Sequence, residues 1–269
     1  MLYDKSIYLA DISYLTNTFI REYDMAKANI SVLYSKGLIT EKVYKRLYES
    51  ERMVRQRYVG NLEKDNPAIV SALKQGISEA KRKLFEANQL EDYSILSIKN
   101  DAVFVIAKEL QYTEFGDLIK FKCKNLYTAF YKVTTSKASF EFYYYYNKMT
   151  NEERLDVKGV KDESLYLYQP GILQLLKDIF YTIQVSGPVE ALKIMRDIYN
   201  QYVNRQLPLE CYRRLGYGDF KLMVKTITGM PFSLSYPDEQ FRGLIDISYN
   251  LEILIAIQKI IMNMYFARV

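Results

Sequence analysis

A chain of 269 residues with 49% apolar content is long enough for one large domain or two small ones, and its 26% charged content argues against global disorder. The formal net charge of +5 is compatible with a polyanionic partner. Histidine is absent, which removes Ser-His-Asp and Cys-His catalysis, imidazole zinc sites and histidine general bases.

Any chemistry must therefore come from carboxylates, Lys, Arg, Tyr or a metal held by oxygen. Tryptophan is also absent while tyrosine reaches 26 residues, a bias that the AT-rich genome of a virus or phage can produce. Cys123 and Cys211 have no metal-like spacing and read as reduced structural thiols, as in a cytosolic protein. Met1–Lys5 does not read as a signal peptide. The apolar stretch near Leu251–Ile261 is interrupted by Glu252, Gln258 and Lys259, so no membrane span is expected. The expected location is the cytoplasm, that of the host if the chain is phage-encoded.

In chain order, Thr18–Tyr23 reads as a strand running into Asp24. Ala26–Lys36 reads as a helix that Gly37 caps. Thr40–Gly60 reads as a helix or helix pair dense in cations: Lys42, Lys45, Arg46, Arg52, Arg55 and Arg57. Asn66 and Pro67 fit the start of another helix, in which Ile69, Leu73, Ile77, Ala80 and Leu84 form one apolar face. Lys74, Lys81, Arg82 and Lys83 are placed largely off that face. Tyr93–Ile98 and Ala102–Ala107 are strand-like runs around Lys99-Asn100-Asp101, a hairpin with an aspartate at its tip. Further strands are expected at Leu126–Val133, Phe140–Tyr146 and Leu155–Val157. From Pro170 the pattern turns helical, with first turns at Pro170 and Pro188 and a long final helix over Leu244–Phe266. The expectation is an α+β fold. A sheet-and-helix domain over residues 1–165 precedes a helical domain over 166–269.

Two features carry chemistry. A strand delivers Asp24 where a helix starts, and a hairpin delivers Asp101 at a tight turn. Carboxylates at adjacent strand ends can hold two divalent ions for in-line phosphoryl transfer, and magnesium or manganese suits such a site. Taken singly, each aspartate is more simply a helix cap or a turn former.

Around these residues the chain resembles the palm of family B DNA polymerases. The family's first palm motif is a strand, then Asp, two variable positions and Ser-Leu-Tyr, then a helix. Asp24 falls on its aspartate, Lys27 and Ala28 on Ser-Leu, and Asn29 on the tyrosine. The last palm motif, Tyr-Gly-Asp-Thr-Asp-Ser-Val-Phe-Val, aligns without a gap on Ser97-Ile98-Lys99-Asn100-Asp101-Ala102-Val103-Phe104-Val105. Phe140–Tyr146, followed by Leu155-Asp156-Val157-Lys158-Gly159-Val160, resembles the basic-aromatic strand and Lys-Gly motif that grip the primer–template duplex.

The resemblance implies a polymerase-like palm, a reduced fingers-like helical insertion over about residues 38–90, and a thumb-like region from 166 onward. It implies Asp24, Asp101 and the backbone carbonyl of Met25 as ligands of Mg2+ or Mn2+. Lys27, Asn29, Arg52, Arg55, Arg57 and Lys99 are the positions for the nucleotide, and Tyr144, Tyr146, Lys158 and Gly159 those for nucleic acid. The implied partners are nucleic acid, nucleoside triphosphates and a protein that supplies missing polymerase parts.

There are departures. Lys99 replaces an acid, Asn29 replaces the tyrosine that excludes ribonucleotides, and the usual fingers motif is not intact. For Arg52–Arg57 a solvated basic face is the competing reading. For Phe142–Tyr146 a strand with one buried aromatic face is preferred for at least half of the side chains. Lys120, Lys122, Lys124 and Lys132 fit either phosphate contacts or an edge strand with a solvated face. The leading expectation is a small nucleotidyltransferase. The runner-up is a polymerase-like nucleic-acid-binding or scaffold subunit without catalysis, and a third reading is an interaction protein of mixed fold.

Overall fold

The computed structural model describes residues 12–158, 170–215, 222–225, 228–234 and 239–267. The fold is α+β, built on a seven-stranded antiparallel sheet. The strands are β1 (Tyr14–Met25), β2 (Ile95–Lys99), β3 (Ala102–Ile106), β4 (Glu114–Phe115), β5 (Ile119–Thr134), β6 (Ser139–Asn147) and β7 (Glu152–Lys158). Their hydrogen-bonded order is β2-β3-β1-β5-β6-β7, with β4 also on β5. The chain forms two compact units. One takes in Thr18–Leu126, the other Ser13–Asn17 and Tyr127–Val269, so β1 and β5 each contribute to both.

The first unit packs helices α1 (Ala28–Ser35), α2 (Glu41–Glu49), α3 (Arg52–Asp65) and α4 (Ala68–Ala87) against β1, β2 and β3. The apolar spacing of α4 explains its seat. Ile69, Leu73, Ile77, Ala80 and Leu84 are all buried, in one cluster with Val103 and Val105 of β3. Lys81 departs from expectation, because it is fully buried on that same face. The end of α1 follows from Gly37, whose φ of +69° suits a residue without Cβ. The Gly37 amide donates to the Tyr34 carbonyl at 3.0 Å and the Leu38 amide to the Leu33 carbonyl at 2.8 Å, which satisfies the last turn. The basic stretch after Thr40 is a pair of helices, the first capped by the Thr40 hydroxyl accepting from the Val43 amide at 3.4 Å.

The second unit packs α5 (Pro170–Ser186), α6 (Pro188–Val203) and α7 (Ser248–Phe266) with β6, β7 and the later half of β5. A short hairpin, β8 (Leu222–Lys225) with β9 (Pro231–Leu234), belongs to this unit. Its core is aromatic. Phe180 stacks on Tyr131 at a centroid distance of 4.2 Å and lies 5.5 Å from Phe142 and 6.0 Å from Tyr144. The final helix begins at Ser248, not at Leu244. The Asp246 carboxylate accepts from the Ser248 amide and hydroxyl at 3.1 and 2.7 Å, and Glu239–Leu244 forms a separate 3-10 turn. Among the described residues, no helix is long and apolar enough to cross a membrane.

Candidate functional site

The site begins with a register. In the first unit β1 pairs antiparallel with β3, which sets Tyr23 opposite Val103 and Asp24 opposite Ala102. The Met25 amide then donates to the Asp101 carbonyl at 3.2 Å, so the end of β1 is tied to the β2–β3 turn. The next amide, Ala26, donates to the Lys120 carbonyl of β5 at 2.8 Å. The turn itself is two residues, Asn100 and Asp101, between the paired Lys99 and Ala102. Asn100 takes a φ of +50°, a region asparagine tolerates better than most residues. A strand end and a hairpin tip therefore bring Asp24 and Asp101 together.

Their electrostatics follow. Burial pushes the Asp101 carboxyl above the usual carboxylate range, and the Asp24 charge pushes it the same way; Lys81 and Lys124 oppose the rise. Asp24 keeps 32% of its side chain exposed and faces the Lys124 Nζ at 3.5 Å. Met25, next in the chain after Asp24, is buried. Among the described residues, no group of three or more Cys, Asp or Glu side chains is arranged to hold a metal. The donor set is two carboxylates, hard oxygen ligands of one sign, near enough for the Asp24 charge to raise the Asp101 pKa. Magnesium fits such a set, since it is commonly bound by one or two carboxylates with water and substrate phosphate completing its shell.

Cations gather beside the pair. Lys120, Lys122 and Lys124 alternate along β5 and so share a face of that strand. Lys120 is taken by Glu114 at 3.1 Å. At the β1–α1 junction Lys27 has a φ of +50°, and its ammonium donates to the Tyr48 carbonyl and lies 3.3 Å from the Tyr48 ring centroid. The Lys27 pKa is lowered by burial and by the charges of Arg55 and Lys122. Arg55 in turn donates to the Ser50 carbonyl. Lys27 thus contacts Tyr48 and feels the charges of Arg55 and Lys122; sequence reasoning did not assign Tyr48 or Lys122 to the nucleotide.

The other expected positions are more scattered. Arg52 lies one turn before Arg55 and is exposed. Arg57 is exposed, and two residues of helix rotate it to the far side from Arg55. Asn29 is exposed in the first turn of α1, and Lys99 is half-buried at the base of the hairpin tip. In the second unit Tyr144 is fully buried, its hydroxyl donating to Glu153 at 2.7 Å, so its ring belongs to the core. Tyr146 is half-buried and meets Tyr181 edge-on at 5.0 Å. Lys158 ends β7 opposite Glu141. Gly159 lies outside the described residues.

Lys81 is a further residue of this site that sequence reasoning missed. Its Nζ donates to the Asn100 carbonyl at the hairpin tip. A signal was present: Ile69, Leu73 and Ile77 repeat at four residues, and the next position in that register is Lys81.

An α+β fold with a strand-end carboxylate pair is the class defined so far. The chain belongs to the family of the Bacteriophage PBS1 gene 130 protein, whose family model matches residues 1–263. This is a phage family. No curated protein matches the chain at a significant level.

Proposed function

We propose that the first unit carries a metal-dependent nucleotidyltransferase site that extends a nucleic-acid 3′ end from nucleoside triphosphates. The observation that supports this reading is the delivery of Asp24 and Asp101 to adjoining backbone ends, where burial and like charge raise the Asp101 pKa. Carboxylates held together against their repulsion make a seat for divalent cations. Asp24, Asp101 and the Met25 carbonyl would hold Mg2+ or Mn2+. When bound, such ions activate a 3′-hydroxyl and neutralise charge on the leaving phosphates.

The chain's own cations complete the reading. Lys27, Arg55 and Lys122 form a cluster whose mutual repulsion an anion relieves. A triphosphate is such an anion, and the Arg55 guanidinium can meet two of its oxygens at once. Tyr146 and Lys158 of the second unit are the positions for duplex contact, while Tyr144 supports β6 from within the core. A protein partner would supply the fingers elements that the chain lacks.

A second reading has its own observation. Lys124 already meets Asp24, and Lys99 stands in the hairpin where the resembled family keeps an acid. Both fit a nucleic-acid-binding subunit that has no catalysis. Nucleotide incorporation on a primed template, with Mg2+ or Mn2+, separates the two. Incorporation lost in Asp24→Asn and Asp101→Asn supports the transferase. Nucleic-acid binding without incorporation supports the subunit.

A further inference from the structure

Lys81 is a fully buried lysine in the middle of α4. Removing an ammonium from water costs several kcal/mol per ion unless partners compensate, so a buried lysine calls for a specific partner. Here the Nζ donates to the Asn100 carbonyl, the peptide oxygen immediately before Asp101. Asn100 holds a positive φ of 50°, so the bond pins the turn at its least ordinary residue.

The other side of α4 is fixed just as tightly. Gly76 lies against α1 so closely that a methyl group there would overlap Val32. One turn on, Glu79 pairs with Lys36 at 3.3 Å. α1 begins four residues after Asp24. One helix thus contacts both the element that follows Asp24 and the turn that carries Asp101.

We propose that Lys81 is a positioning residue for the carboxylate pair: anchored by α4, it holds the hairpin tip so that Asp101 faces Asp24, and thereby sets the affinity of the pair for a divalent cation. This rests on the two-carboxylate reading above. The sign of the effect is diagnostic. A lysine acting only as a counter-charge repels a divalent ion, so its removal tightens binding. A positioning lysine has the opposite effect, and its removal loosens binding. A lysine that serves only the fold changes stability and leaves affinity alone.

The test is Mn2+ titration of the full chain, read by the electron paramagnetic resonance signal of the free ion, which needs no turnover. Lys81→Met is compared with wild type, with Asp101→Asn, and with Leu84→Ala, a core truncation on the same helix. The expected result is binding weakened roughly 10- to 100-fold in Lys81→Met, the usual range for losing an outer-shell partner. Leu84→Ala should bind as wild type does. Wild-type or tighter binding by Lys81→Met overturns the assignment, as does an equal loss in Leu84→Ala. If Lys81→Met does not fold, Lys81→Gln replaces it, with weakened binding expected and unchanged binding overturning. Absence of Mn2+ binding by wild type sinks the two-carboxylate reading itself. Binding that is lost in Asp101→Asn and kept in Lys81→Met sinks only the role of Lys81.

Discussion

Asp101 is partly buried, and that loss of water, with the Asp24 charge added to it, raises its carboxyl pKa. Its folded-state pKa is raised, so the folded protein binds that proton more tightly than the unfolded chain does. The resulting stabilisation is fully present below the ordinary carboxylate pKa and is lost as pH rises through the raised value. Above it the ionised group strains the fold. Asp101→Asn is therefore expected to raise the melting temperature at pH 7 without metal, and to flatten the decline in stability that wild type shows from mildly acidic to neutral pH. Melting curves across pH check this; a variant less stable than wild type at pH 7 contradicts it. At Asn29 the expectation concerns substrate. An exposed asparagine stands where the resembled polymerases keep a tyrosine, and under the proposed function the smaller side chain would admit a 2′-hydroxyl. Incorporation of ribonucleotides and deoxyribonucleotides should differ far less than in an ordinary DNA polymerase. Rejection of ribonucleotides as strong as in such an enzyme defeats this expectation.

At the scale of elements, α4 organises the first unit. Gly76→Ala tests its close approach to α1. Alanine favours a helix over glycine by about 1 kcal/mol, but overpacking typically costs about 1–3 kcal/mol. The overlap falls on β-branched Val32, which is stiff and buried, so the steric effect wins. A net loss of about 1 kcal/mol is expected in urea unfolding, and a gain in stability would show that the α1–α4 seam is looser than described. Much at this scale was legible from sequence. The strand into Asp24, the hairpin around Asp101, the Gly37 stop and the apolar face of α4 all follow from period and turn chemistry. The helix expected from Leu244 starts later, because Leu244 closes a separate 3-10 turn and the Asp246 carboxylate accepts from the Ser248 amide and hydroxyl where the helix begins. Lys81, expected largely off the apolar face, is buried on it. Its burial depends on the Asn100 carbonyl 19 residues away, a partner that helical periodicity cannot show. The grouping of Lys27 with Tyr48 and with the charges of Arg55 and Lys122 is likewise tertiary, assembled from the β1–α1 junction, α2, α3 and β5.

At the scale of the whole molecule, two divisions coexist. The sequence pattern changes from mixed sheet and helix to helical near residue 165, whereas the boundary between the compact units falls within β5, between Leu126 and Tyr127. Composition follows secondary structure, while compactness follows packing, and β6 packs with the later helices through Phe180. The aromatic run Phe142–Tyr146 shows the same limit. Phe142, Tyr143 and Tyr144 are fully buried, so both faces of the strand are covered there, and a period of two alone does not report how many faces lose water. The central claim concerns the carboxylate pair of the first unit, and one measurement tests it most directly. On a primed template with Mn2+, the wild-type chain should incorporate nucleotides, and Asp24→Asn and Asp101→Asn should each lose at least ~100-fold of that activity, the order expected for removing a group that stabilises transition-state charge. Incorporation that survives both substitutions, or none by wild type with its nucleic-acid binding intact, contradicts the account.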